Sequence, residues 1–274
     1  MSRISNSIEL AKTSWSVLKA DKELLLLPVM SAVASLITMA TFILPLLASG
    51  TISDESSDVS ALVYVLLFVL YVLLAFITVF FNAALIHAAN ERLAGGDPTI
   101  RSAIAGARGS IGLIFQWALV SATISIILRT LEERAGMLGR IVISLVGMAW
   151  AVVTYLVLPL LVLEGYSVKD AISESATLFK RTWGENLSAQ VGFSLLGFVV
   201  AIPGIALIVL GALTGSGVLL VVLIALGVAW LVLVAVVLSA LAVVFQTALY
   251  RFARDGSAPG AFDANSMNGA FFIR

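Results

Sequence analysis

The sequence predicts an all-α polytopic membrane protein: six transmembrane helices with three amphipathic interfacial helices on the cytoplasmic side. Three observations carry this. Hydrophobic residues fill 61% of the 274 positions and charged residues only 12%, against roughly 25% charged in a soluble domain. The apolar residues collect in uncharged runs of about 20 or more, the length a helix needs to cross about 30 Å of hydrocarbon. Lys and Arg collect between alternate runs, which is the distribution that cytoplasmic segments show.

Four runs are each long enough for one crossing. They are Leu24 to Ala48, Val59 to Asn90 with Ala61 to Ala88 as its apolar body, Gly109 to Leu128, and Ile141 to Leu163. The fifth run, Asn186 to Tyr250, carries no charge over 65 residues and is too long for one crossing, so it needs an internal turn. Its glycine-dense polar stretch Gly211-Ala-Leu-Thr-Gly-Ser-Gly217 supplies one. Helix five is then expected near 188–210 and helix six near 217–250. Helix six exceeds the bilayer thickness and is expected to tilt or project. Pro203-Gly204 should kink helix five, and Pro28 occupies a tolerated first-turn position.

Orientation follows from the basic residues. Thirteen lie on the side of the termini: Arg3, Lys12, Lys19, Lys22, Arg92, Arg101, Arg108, Lys169, Lys180, Arg181, Arg251, Arg254 and Arg274. Three, Arg129, Arg134 and Arg140, lie in the loop between spans three and four, beside Glu132 and Glu133. Both termini are therefore expected in the cytoplasm. Seven charged residues precede the first apolar run, and no small-residue cleavage site follows a short one. That run is expected to act as an uncleaved insertion signal.

Amphipathic segments precede spans one, three and five. Ile4, Ile8, Ala11, Trp15 and Leu18 share one helical face, opposite Ser5, Glu9, Lys12, Ser16 and Lys19. Ile100, Ala103, Ile104, Ala107 and Ile111 repeat the pattern, with Arg101 and Arg108 off that face. Val168, Ala171, Ile172, Ser175, Leu178, Phe179 and Trp183 do so again, opposite Lys169, Asp170, Ser173, Lys180 and Arg181. All three are expected on the cytoplasmic surface, basic residues toward anionic headgroups. The chain thus reads as one transmembrane domain, 1–254, with units at about 3–90, 98–163 and 167–254 and a tail at 255–274. Each unit is an amphipathic helix, a span, an outer loop and a returning span. Phe81-Asn-Ala-Ala-Leu85 lines up with Phe245-Gln-Thr-Ala-Leu249 at the ends of helices two and six. Alternating loops alone would also generate such a period. In the tail, Gly256, Pro259, Gly260 and Asn265 predict irregular chain, while Ala270-Phe-Phe-Ile-Arg274 is apolar enough to dock on the bundle or a partner.

The stretch Pro159-Leu-Leu-Val-Leu-Glu-Gly-Tyr-Ser-Val-Lys-Asp-Ala-Ile172, continuing to Trp183, resembles a prokaryotic family of six-span integral membrane proteins of unknown function. So does Ser14-Trp-Ser-Val-Leu-Lys-Ala-Asp-Lys-Glu-Leu-Leu-Leu-Leu-Pro28. The layout is similar to the membrane domains attached to some glycerophosphodiester phosphodiesterases, whose catalytic domain has no counterpart here. The resemblance implies a fold and a plasma-membrane location, and no catalytic residues.

Composition narrows the chemistry. With no Cys and one His there is no thiolate site and little imidazole chemistry, so no metal and no cofactor are expected. Lys+Arg and Asp+Glu are equal at 16 each, so nothing suggests a nucleic-acid partner. No Asp, Glu, Lys or Arg lies in the central part of a span, which argues against a proton-driven pump. Gly106-Ala-Arg-Gly-Ser-Ile-Gly112 lacks the strand, lysine and hydroxyl of a phosphate loop, and no Gly-x-Ser-x-Gly setting occurs.

The strongest polar candidates within spans are Asn82, His87, Gln116, Gln190 and Gln246. They could line a path, but hydrogen bonds between packed helices are the favoured reading, at roughly 1 kcal/mol each. His87 is read as interfacial. Glu164 is read as a helix-end charge, with Lys169 or Arg92 as alternative partners. Trp15, Trp117 and Trp183 are read as interfacial anchors. The function expected is a non-enzymatic scaffold that organises membrane lipid, a protein partner or further copies of itself. A channel or passive carrier for a small or lipidic solute is the alternative, and an intramembrane enzyme ranks third.

Overall fold

The computed structural model describes the backbone of residues 3–48, 61–183, 188–214, 217–256 and 262, and the side chains of 12–48, 61–180, 197–214, 217–256 and 262. The chain is an all-α polytopic membrane protein. Its helices are α1 (Arg3–Ala20), α2 (Leu26–Ala48), α3 (Ala61–Leu93), α4 (Ile100–Gly109) and α5 (Ile111–Arg134), followed by α6 (Met137–Val153), α7 (Val157–Leu163), α8 (Val168–Trp183), α9 (Ser188–Leu213) and α10 (Gly217–Asp255). A 3-10 turn, Lys22–Leu25, joins α1 to α2, and no strand occurs among the described residues. Among the described residues, five stretches are long and apolar enough to cross a membrane: Lys22–Ala48, Ala61–Leu93, Ile111–Arg134, Met137–Leu163 and Gly217–Asp255. Gly197–Leu213, within α9, is a shorter apolar helix. Wide rows of exposed Leu, Val, Ile and Phe on α2, α3, α5, α6, α9 and α10 form a surface that only lipid could cover favourably.

Four expected boundaries change. The segment Arg129 to Arg140 is helical except at Ala135-Gly136, because α5 runs on through Leu131-Glu-Glu-Arg134 and α6 starts just after Gly136. Span four is two helices, since Pro159 has no N–H for the Tyr155 carbonyl and its ring crowds that carbonyl. Gly211 lies inside α9 rather than in the turn. Helix six continues to Asp255 and is capped by Gly256, whose φ of +67° suits a residue without Cβ and whose N–H donates to the Phe252 carbonyl at 2.9 Å. Helix five continues through Pro203.

The chain divides into two compact units that cut across its three consecutive segments. The first comprises residues Met1–Leu25, Ala89–Pro98 and Lys180–Arg274. In it α9 and α10 form a hairpin against which α1 packs. Gly197, Gly204 and Gly211 recur every seven residues on α9, so they share the face turned to α10. A Cβ at Gly204 would sit 2.8 Å from Trp230 Cδ1 and 3.0 Å from the Gly227 carbonyl oxygen, and one at Gly227 would sit 2.7 Å from the Gly204 carbonyl oxygen. The two backbones touch, as small residues permit in membrane helix pairs. The Trp230 indole N–H donates to the Val200 carbonyl at 3.0 Å. From Gly217 to Ser239, about 34 Å at 1.5 Å per residue, α10 is mostly exposed; from Ala240 to Phe252 it is mostly buried.

The second unit, residues Leu26–Ala88 and Thr99–Phe179, holds α2, most of α3, and α4 to α8. Its interior is built from Ala83–Ile86 and Ala88 of α3, Ile114, Trp117 and Ala118 of α5, and Leu156–Leu161. Phe76 and Phe115 meet edge to face at 5.8 Å, and Trp117 stacks on Trp150 at 6.2 Å. The aligned segments Phe81–Leu85 and Phe245–Leu249 thus both belong to largely buried helix ends, and Val157–Leu161 is a third at the end of span four.

Candidate functional site

The least regular backbone within a described crossing is the break between α6 and α7. Thr154, Tyr155 and Leu156 leave the helix ahead of Pro159, freeing backbone groups that the apolar surroundings cannot solvate. Ser175 on α8, fully buried, takes two of them: its hydroxyl donates to the Val153 carbonyl at 2.5 Å and accepts the Leu156 N–H at 3.2 Å. The Thr154 hydroxyl donates to Trp150 O at 2.7 Å, and the Val157 N–H to Thr154 O at 3.1 Å. α8 is therefore a strap over a broken membrane helix.

The amphipathic helices α4 and α8 turn their small and apolar residues inward. Ala103 and Ala107 of α4 and Ala171, Ser175 and Leu178 of α8 are buried, whereas Arg101, Arg108, Lys169, Asp170, Ser173, Thr177 and Lys180 are exposed. Thr99 and Ser102 fix the start of α4 with a reciprocal capping box. Ser167 does the same for α8 by accepting the Asp170 N–H at 3.2 Å. Gly106 lets α4 lie flat on His87: a Cβ there would come 2.2 Å from the imidazole Cδ2. His87 Nδ1 is buried without a hydrogen-bond partner.

In the first unit the face of α1 differs from the expected one. Ser14, Val17, Leu18 and Asp21 are buried, while Trp15 is 42% exposed beside exposed Lys12 and Lys19. Trp15 therefore belongs to the basic face, not to the face of Leu18. Asp21 is 8% exposed and pairs with both Nε and a terminal nitrogen of Arg92, which also donates to Asp97 at 2.7 Å. Arg251 donates to the Asn90 carbonyl at 3.2 Å.

The other expected residues fall as follows. Asn82 is half-buried in α3, and Gln246, half-buried on α10, makes a polar contact. Gln116 is exposed on α5. Trp117 is only 8% exposed and packs in the interior of the second unit, against Trp150. Glu164 is exposed with an interaction of its own, and the ion pairs of Arg92 go to Asp21 and Asp97. The side chains of Gln190 and Trp183, with Ile4, Ile8, Ala11 and the end of the tail, lie outside the described residues. Sequence reading missed Ser175, Gly106 and Asp21 as positioning residues. Their signals were a serine on an apolar helix face, a glycine on another, and an aspartate just ahead of an apolar run.

Among the described residues no group of three or more His, Cys, Asp or Glu could hold a metal. Residues 61–260 match a family described as a family of unknown function (DUF6159). No curated protein and no solved structure matches the chain. These comparisons lend no support to a likeness with glycerophosphodiester phosphodiesterase membrane domains.

Proposed function

The chain belongs to the DUF6159 family, and from the geometry of this member we propose a non-enzymatic plasma-membrane scaffold, both termini cytoplasmic, that organises lipid or a protein partner. One observation carries the reading. α4 and α8 bury their small faces within the protein and leave Arg101, Arg108, Lys169 and Lys180 outward, four cations against the one exposed carboxylate of Asp170 among the described side chains of these two helices. Such helices form a fixed basic surface rather than mobile anchors. The basic residues at the ends of α3 and α10, Arg92, Arg251 and Arg254, favour the same cytoplasmic assignment. Arg129, Arg134 and Arg140, at the α5–α6 junction, are assigned to the outside.

The absence of cysteine makes the orientation directly testable. Single cysteines at Ser2→Cys and Gly136→Cys should react with an impermeant maleimide from opposite sides of intact cells. Labelling of both from one side would overturn the assignment. The second reading, a passive carrier, is favoured by the α6–α7 break, because discontinuous membrane helices commonly line substrate paths. Proteoliposomes distinguish the two. A scaffold leaves small-solute efflux and lipid scrambling at the rate of protein-free vesicles, whereas a protein-dependent rate assigns a carrier.

A further inference from the structure

We infer that the outward face of α1, formed by Lys12, Trp15 and Lys19 and continued by Lys22, docks the headgroups of anionic phospholipids in the adjoining leaflet. The inference rests on the reading that α1 lies at the cytoplasmic surface. Positions 12, 15 and 19 step by three and four residues, so they form one line along α1, and Lys22 follows in the 3-10 turn. All four are exposed, and the opposite line, Ser14, Val17, Leu18 and Asp21, is buried. α1 is held on that buried side by its packing on α9 and α10, so the outward face cannot roll away.

Charge selects the occupant. Two carboxylates lie among the described side chains of this segment, Asp21 and Glu23. Asp21 is turned inward and neutralised by Arg92, which removes it from the face. Glu9, on the same face by periodicity, lies outside the described side chains; with it counted, three lysines still exceed two carboxylates and leave the face positive. The long flexible lysine stems suit phosphate oxygens that move with the lipid, whereas planar bidentate recognition would call for arginine. Trp15 adds an indole that is 42% exposed in the midst of cations. That position is unfavourable in water but matches the headgroup level of a bilayer, where tryptophan gathers. A basic row with an embedded indole thus fits a surface that is anionic above and apolar beneath.

The test uses the full chain in nanodiscs of phosphatidylcholine containing spin-labelled phosphatidylglycerol or spin-labelled phosphatidylcholine, reading their relative association with the protein. Wild type should prefer phosphatidylglycerol, and Lys12→Gln/Lys19→Gln/Lys22→Gln should lower that preference at least about fivefold, the worth of roughly one basic side chain at an anionic surface. Lys12→Arg/Lys19→Arg/Lys22→Arg should keep it, which separates charge from folding. Trp15→Ala should lower it less. No preference in wild type, an unchanged preference in the glutamine variant, or equal loss in the arginine variant overturns the proposal. So does lysine-dependent capture of an acidic protein in discs of phosphatidylcholine alone, which would assign the face to a protein. Solute flux through wild type would overturn the scaffold reading and leave this measurement intact.

Discussion

Ser175 of α8 and Val153 of α6 are joined by a hydroxyl-to-carbonyl hydrogen bond of 2.5 Å, and the same hydroxyl accepts the Leu156 N–H at 3.2 Å. One side chain therefore occupies both ends of a helix break that Pro159 enforces. Ser175→Ala should leave a buried carbonyl and a buried N–H unpaired, lowering stability by about 1–3 kcal/mol. Thermal unfolding of the purified protein in detergent checks this. An unchanged midpoint would mean that the break is satisfied by other groups.

The contact between α4 and α3 depends on the absence of one Cβ. Gly106→Ala would place a carbon 2.2–2.6 Å from three imidazole atoms of His87. Overpacking of this kind costs about 1–3 kcal/mol. His87→Ala should restore most of the loss in the double variant, because the two residues share one space. Additive effects of the two substitutions would place the strain elsewhere.

The α9–α10 hairpin offers an internally controlled comparison. Gly227→Ala meets the Gly204 carbonyl oxygen at 2.7 Å and Ile208 Cγ1 at 2.6 Å, whereas a Cβ at Gly112 on α5 meets nothing within 4 Å. Gly227→Ala should destabilise by about 1–3 kcal/mol, while Gly112→Ala should stabilise by roughly 0.5–1 kcal/mol through helix propensity. Equal melting temperatures for both variants would contradict the close backbone approach.

Asp21 and Arg92 lie 71 residues apart in sequence and pair through two donors, Nε and one terminal nitrogen, on one edge of the guanidinium. Arg92 is 26% exposed and keeps Asp97 as a second partner. Asp21→Ala should therefore cost about 1–3 kcal/mol, below the value for a fully buried pair. Arg92→Ala should cost a similar amount, and the double variant less than the sum. The test is a double-mutant cycle by chemical denaturation in detergent, and a coupling energy of zero would remove the pair from the stability of the first unit.

The sequence alone determined the fold class and the apolar runs that form the spans, because bilayer thickness and backbone hydrogen bonding leave such runs few alternatives. The α9–α10 division near Gly217 was legible on those grounds, and the helices α1, α4 and α8 were legible from their periodicity. Their orientation about their own axes was only partly so. On α4 and α8 the buried residues Ala103, Ala107, Ala171, Ser175 and Leu178 all belong to the predicted apolar face, although Ile111 of that face is exposed, while on α1 the periodicity grouped Trp15 with Leu18, and packing separated them. Periodicity reports where apolar residues fall, and an indole can satisfy it while facing a membrane surface instead of a protein core. The break before Pro159, its closure by Ser175, the seating of His87 on Gly106 and the pairing of Asp21 with Arg92 were decided by tertiary structure. Each joins groups on different elements, and a single sequence carries no information on which distant backbone carbonyl, ring or guanidinium will stand opposite a given side chain.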